Sequence, residues 1–486
     1  MKNNTLKKFA ALSMACTTAL TMSSALSAIS VSAAETNDGV FPYTMFASSD
    51  SEGAITINSK HFCMNGSMAS NGTISTSKRT HINGSKTENA AVDMPFVSGK
   101  INNSYFSNAM TADDYSVTDH NVNMHTTMDV TGEASLSGNI NMSSSIKADD
   151  DINISGNVCN INNSVIYSEF GDVIIDSNNV NLTGMIYAPL GDVVITGNNI
   201  NLNNTVIIAD TITLNANNVN ANYGRSYAQT VGTESETKSS YITKYNSYLM
   251  DKEADNILDM LSQYYTVTPV DAGEFSNIAI SAPLAPGFIV NMDFEVQQYD
   301  VEGYGNLSIM KTDGFQQMST IVLTPYNKDL PLISTDYMFN GESRLSYIEF
   351  YGLGIDGDEN MPVFDSLSTL PEKYKDFVDQ PPTPGWFDEV RTMGLFKVSN
   401  YKSDDAIENM LYDSFEMTLD ASMVAPELDA AQKVVKHDMI QNYVDNLIAN
   451  PGISTAIFNM CLGQEKTRCF FNDVFFGTSK HIPENN

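Results

Sequence analysis

The sequence predicts two architectures in one chain of 486 residues: a parallel β-helix first, then an α/β/α sandwich around a central antiparallel sheet. Three observations predict this. Apolar residues in the first half recur in blocks 18 to 21 residues apart, composition changes near residue 225, and strand-like runs beyond it are bracketed by helical ones.

The chain begins with an address. Residues 1–33 carry Lys2, Lys7 and Lys8 and no acid, then a long run of apolar and small residues ending in Val31-Ser32-Ala33. A basic start, an apolar stretch and a small-x-small cleavage site are the marks of a secretory signal peptide. The expectation is an exported bacterial protein, found outside the cell or on its surface. No later stretch is long and apolar enough to span a membrane.

Formal charge is -32, from 26 Lys and Arg against 58 Asp and Glu. Such a chain as a whole repels nucleic acid and anionic lipid, so neither is expected as a partner. Hydrophobic content of 42% suffices for packed cores, and Asn, Ser, Thr and Gly replace charge in the first half.

Residues 40–223 read as the solenoid. Val173 and Ile175 return as Val193 and Ile195, and Val180 and Leu182 as Ile200 and Leu202, each 20 residues on. Ile212, Leu214 and Val219 follow 19 further on, while Ile152, Ile154, Cys159 and Ile161 precede by 21 and Ala134 and Leu136 by a further 18. One turn cannot bury its apolar side chains alone, so stacked turns supply the core. Alternate residues point inward, which is why Val and Ile alternate with Asn. Asn tolerates corner conformations and can pair between turns. Ala54–Gly84 reads as irregular early turns, and 86–125 as a less regular insertion.

Chemistry is not expected in this half. Asp172, Asp176 and Asp192 fall at turn corners, where turn formation explains them. Asp149-Asp150-Asp151 reads as a solvated acidic corner, and His120 and His125 lie in the irregular region. The remaining cysteines, Cys63, Cys159, Cys461 and Cys469, have no zinc spacing. Cys461 and Cys469, eight apart, are expected on one face of a helix. No metal site and no bound cofactor are expected.

Residues 224–249 are polar and read as a linker. The second domain, 250–478, opens with a helix over Met250–Tyr265. Strand-like runs follow at Gly287–Val290, Asn306–Met310, Ser319–Leu323, Leu332–Asn340 and Leu345–Tyr351. Helical spacing returns at Asp404–Leu419, Ala430–Ile448, Ser454–Cys461 and Thr467–Phe475. Strands in series bracketed by helices give a sheet covered on both faces. Asp356–Asn360 lacks full calcium-loop spacing and reads as a charged hairpin loop.

Within this domain Thr324-Pro325, then Asp329-Leu330-Pro331-Leu332-Ile333-Ser334-Thr335-Asp336, then Tyr347-Ile348-Glu349-Phe350-Tyr351, resemble the strand–turn–strand block of ferredoxin-dependent bilin reductases. The tail is similar too: Tyr443-Val444, Asn450-Pro451, Leu462-Gly463, Glu465 and Asn472–Phe476. Red chlorophyll catabolite reductases share this fold. The resemblance implies a pocket between sheet and C-terminal helices that holds a linear tetrapyrrole. It also implies that Asp336 is the catalytic proton donor, with electrons from an external donor. A carboxyl in an apolar pocket keeps its proton nearer neutral pH, which suits that role. A second family aspartate is replaced by Asn450, and Gln316, Gln317 and Ser319 stand where some members carry a His. Two readings follow. One is an exported protein that binds a bilin or similar planar ligand, with reduction as its further possibility; the other is a non-enzymatic surface scaffold, contacting cell-surface components, with a vestigial pocket.

Overall fold

A computed structural model describes residues 40–231, 236–285, 288–314, 316–382 and 384–483. Residues 1–33, read from the sequence as a signal peptide, and Gly287 lie outside them. Two compact units are present, the first ending at Tyr241 and the second running from Ile242.

The first unit is the parallel solenoid. Val173 pairs with Val193, Ile175 with Ile195, Val180 with Ile200 and Leu182 with Leu202, the register read from the repeats. Ile152, Ile154, Cys159 and Ile161 stack beneath Val173, Ile175, Val180 and Leu182. All these side chains are buried in one continuous core. Outward Asn residues form a ladder in which each amide donates to the turn before: Asn141 to Asn123, Asn160 to Asn141, Asn181 to Asn160, Asn201 to Asn181 and Asn220 to Asn201. Gly156 shows how closely the turns approach. Its φ is +157°, and a Cβ there would lie 1.7 Å from the Gly138 carbonyl oxygen.

The order of the turns departs from the sequence. Ile55–Asn65 does not precede the 115–124 turn in the stack. It pairs in parallel with Ile212–Tyr223, Ile55 against Ile212 and Phe62 against Val219. Ile74–Thr76 and Thr80–Asn83 then stack on Ile55–Asn65 and form that end of the coil. The chain returns to the opposite end through Ser98–Phe106, whose Ile101 and Phe106 cover Tyr167, Tyr187 and Val206 in a second apolar cluster. The less regular stretch at 86–125 is therefore a crossover that ends in the first turn of the coil, Met110–Ala112 and Tyr115–Met124.

Corner carboxylates serve the stack. The Asp192 amide donates to Asp172 at 2.6 Å, and the Asp172 amide to Asp151 at 2.7 Å. His125 Nδ1 meets the Ser143 hydroxyl at 2.8 Å.

The stretch read as a linker is helical at Arg225–Val231 and again from Lys238. Its polar composition hides buried Tyr241, Ile242, Tyr245 and Leu249. The second unit starts within helix α1 (Lys238–Ser262) and builds a nine-stranded sheet. Its strands are β1 (Val267–Val270), β2 (Asn277–Ala285), β3 (Phe288–Val301), β4 (Gly305–Gly314), β5 (Gln317–Pro325), β6 (Leu332–Asn340), β7 (Ser343–Tyr351), β8 (Val378–Asp379) and β9 (Met393–Asn400). The order is β1-β3-β4-β5-β6-β7-β9-β8 with β2 on β3, all antiparallel.

Helices follow the sheet: α2 (Asp404–Val424), α3 (Ala430–Ala449), α4 (Ile453–Cys461) and α5 (Gln464–Phe470), the last continued by a π turn over Phe471–Phe475. One sheet face packs Ile278, Phe294, Val296, Met310 and Val322 against Ile440, Val444, Phe458 and Phe470 of α3 to α5. The other face meets α1 and α2, as the contacts of Gln317 with Asn246 and of Arg344 with Asp404 show. The expected α/β/α sandwich is present. Cys461 and Cys469 lie on separate helices rather than one, because α4 ends at Cys461 and Gly463 turns the chain at φ +83°. All four described cysteines are free thiols.

Candidate functional site

Alternation along β6, β7 and β9 sends Asp336, Tyr347 and Phe396 to one face, because these residues are direct cross-strand partners. Thr320 of β5 and Met310 of β4 complete the row. The opposite face is sealed: Thr335, Tyr337, Phe339, Arg344, Ser346, Ile348, Leu395 and Lys397 are all buried. On the Asp336 face the alternate positions Ser334, Asp336, Met338, Leu345, Tyr347, Glu349, Phe396 and Val398 are all only half-buried. Three adjacent strands therefore leave an apolar and aromatic strip open on this side, with Met318 beside it.

Two carboxyls sit in that strip. Asp336 accepts a hydrogen bond from the Thr320 hydroxyl at 2.6 Å. Burial raises its proton affinity above the usual carboxylate range, and the Thr320 bond only partly offsets this. Glu349 is raised as well, first by burial and then by the charge of Asp336, against the opposing pull of Arg391. Arg391 Nη1 lies 2.7 Å from Glu349, and its guanidinium stands 4.9 Å from the Phe396 ring centre. Burial pushes the Tyr351 and Tyr443 hydroxyls up, and the charge of Glu349 adds to this in both. The Tyr443 ring is tilted against that of Tyr351 at 4.7 Å and against Trp386 at 5.8 Å between ring centres. Chemically the strip can seat a planar ring system and present it with two carboxyls whose proton affinity is raised.

The placements can now be compared with the sequence. The side chain of Asp336 lies on the α3–α5 side of the sheet, in register with Met310 and Thr320. Asn450 caps α3, and its carbonyl accepts the Trp386 indole N–H at 2.8 Å, so this position does reach the aromatic group beside Tyr443. Gln317 and Ser319 point away, buried on the sealed face, and their neighbours Met318 and Thr320 border the strip instead. His437 and His481 flank Tyr326 rather than Asp336. Glu349, Tyr351 and Arg391 were not singled out as site residues. The signal was present in Tyr347-Ile348-Glu349-Phe350-Tyr351, where two-residue spacing puts three polar-tipped side chains on one face.

A cavity of about 10 Å³, space for a single water, lies on the opposite side of the sheet, where Glu253, Ser346 and Ile407 line it together with the strand at Asp336. Glu253 of α1 is 1% exposed. Burial lifts its carboxyl well above the usual range, helped by Glu408 and Asp404 and opposed by Arg344. A raised folded value means that the native state holds its proton while the unfolded chain gives it up near pH ~4.3, so stability falls as pH rises past that point. Glu253→Gln removes this dependence. Its stability relative to wild type, read from urea midpoints, is expected to be level near pH ~4 and to rise through neutrality. A difference that stays constant with pH would refute the assignment.

No family model matches the chain, and no curated protein is significantly similar to it. Among solved structures it is similar to phytochromobilin synthase from tomato in complex with biliverdin. That likeness has 11% sequence identity and a TM-score of 0.40, and covers 49% of this chain and 85% of the other.

Proposed function

We propose that this is an exported bacterial protein whose second unit binds a linear tetrapyrrole, or a planar ligand of similar shape, along the open strip of β6, β7 and β9. The observation that carries the reading is the asymmetry of the sheet. One face is sealed, while the other leaves Met338, Leu345, Tyr347, Phe396 and Val398 half-open around the Asp336–Glu349 pair. Contiguous exposed apolar surface around convergent polar groups marks binding sites. An aromatic and thioether floor suits a conjugated ring system.

Asp336 takes the role of proton holder. The Asp336 carboxyl gives its proton to a pyrrolic nitrogen and pairs, as carboxylate, with the cation so formed; reduction would need electrons from an external donor and a further proton taken up through Asp336.

Titration of the purified mature chain with biliverdin tests this. Expected are saturable changes in visible absorbance and quenching of Trp386, the only tryptophan in the sequence. Met338→Arg is expected to weaken binding by at least about tenfold, or ~1.4 kcal/mol. Asp336→Asn is expected to keep binding but to lose the absorbance shift that accompanies protonation of the bound pigment. No saturable change with biliverdin would remove this reading and leave the surface scaffold.

A further inference from the structure

We propose that the end of the solenoid built by Ile55–Asn65, Ile74–Thr76 and Thr80–Asn83 binds a linear acidic polysaccharide. Residues 53–87 contain Lys60, Lys78, Arg79 and Lys86, with His61 and His81, and no Asp or Glu at all. In a chain of charge -32 such a segment is an isolated positive field. Stacking makes it a surface. Ile74–Thr76 lies on Ile55–Ile57, and Thr80–Asn83 on Phe62–Asn65, which brings the corner carrying Lys60 and His61 beside the corner carrying Lys78 and Arg79.

Between these corners runs an open groove of about 770 Å³. Lys60, His61, Lys78 and Arg79 line it, with the hydroxyls of Ser75 and Ser77. Lys78 and Arg79 are exposed. Among the described residues, the ion pairs found in this unit do not engage Lys60, Lys78 or Arg79. Fixed cations and hydroxyl donors along a groove that ends a flat stack suit an extended chain bearing spaced carboxylates.

The rival occupant is a second copy, whose opposite coil end carries Asp113, Asp114 and Asp119. Strand count argues against it. On one face the basic end already bears an additional strand, Lys86–Thr87 on Met68–Ala69. It occupies the layer that Met110–Ala112 of a following copy would need, so end-to-end stacking cannot be continuous on all faces.

The probe is polygalacturonate, offered to the mature chain at low ionic strength with affinity read calorimetrically. Binding is expected to weaken steeply with salt. Lys78→Glu with Arg79→Glu is expected to lose at least tenfold in affinity, and Lys60→Glu alone to lose severalfold, while Lys375→Glu on the other unit changes nothing. Having separate variants at two exposed corners guards against one of them misfolding. Absence of binding, equal binding by the Lys375 and Lys78/Arg79 variants, or preference for single-stranded DNA overturns the proposal. So does concentration-dependent self-association that the same reversals abolish.

Discussion

Replacing Arg344 with methionine is expected to remove about 3 to 5 kcal/mol from the stability of the second unit, because it strands a buried carboxylate. Arg344 is fully buried on β7, on the face opposite Asp336. Its Nε lies 2.9 Å from Asp404 Oδ1 and its Nη2 2.9 Å from Oδ2, a bidentate pair. Nη1 donates to the Gly341 carbonyl at 2.7 Å, and the guanidinium stands 4.9 Å from the Phe339 ring centre. Tyr337 donates its hydroxyl to the same carboxylate. Burial alone would lower the proton affinity of the guanidinium, but the Asp404 charge and hydrogen bonds more than offset this, so the cation persists.

Methionine restores the volume but no charge. Asp404 would then share the interior with Glu253 and Glu408, 1% and 4% exposed. The deficit should shrink on acidification, when Asp404 can take a proton, and the double change Arg344→Met with Asp404→Leu should recover much of it. Urea unfolding followed by Trp386 fluorescence measures this, since the lone tryptophan belongs to this unit. A loss under ~1 kcal/mol would mean that the pair behaves like an exposed one, and would refute the account.

How much of this could be read from the sequence depends on what each feature needs. The solenoid register needs only local repetition, and Val173 with Val193 or Leu182 with Leu202 supplied it. The position of Ile55–Asn65 needs a long-range pairing. Its one trace, Ile55-Thr56-Ile57 against Ile212-Thr213-Leu214, lies across 157 residues and a crossover that breaks the period. The helix over 238–249 was masked because only Ile242 and Leu249 of its inward residues are aliphatic; the others are Tyr241, Tyr245 and Asn246, set among Ser, Thr and Lys. At the candidate site, the strand that carries Asp336 was legible as the run Leu332–Asn340. Glu349 and Arg391 were not, because their meeting requires β7 and the loop before β9 to be adjacent. Gln317 and Ser319 were placed in the right strand, yet a shift of one residue decides the face.

Lys147→Met is expected to be as damaging to the solenoid, with a loss of about 3 to 5 kcal/mol at neutral pH. Lys147 sits mid-strand in Ile146–Ala148, between Asp129 and Tyr167 on neighbouring turns. Three carboxylates converge on its ammonium: Asp149 at 2.8 Å, Glu169 at 3.0 Å and Asp129 at 3.1 Å. Its side chain is 9% exposed. Burial alone would lower its proton affinity, but Glu169 and Asp149 outweigh that and raise it. A raised lysine contributes its stabilisation in full below about pH 10.4 and loses it only as pH climbs toward the folded value. The contribution is therefore complete at neutrality. Without the ammonium, three anions face one another in a stack that cannot spread, because the backbone ladder fixes their strands about 4.8 Å apart. The loss should relax as pH falls toward about 4 and the carboxylates protonate. Lys147→Arg should retain most of the stability, since it keeps the charge. Thermal unfolding by far-ultraviolet circular dichroism across this pH range decides the matter: a loss independent of pH would assign the effect to the missing stem of the side chain and not to the charge it carries.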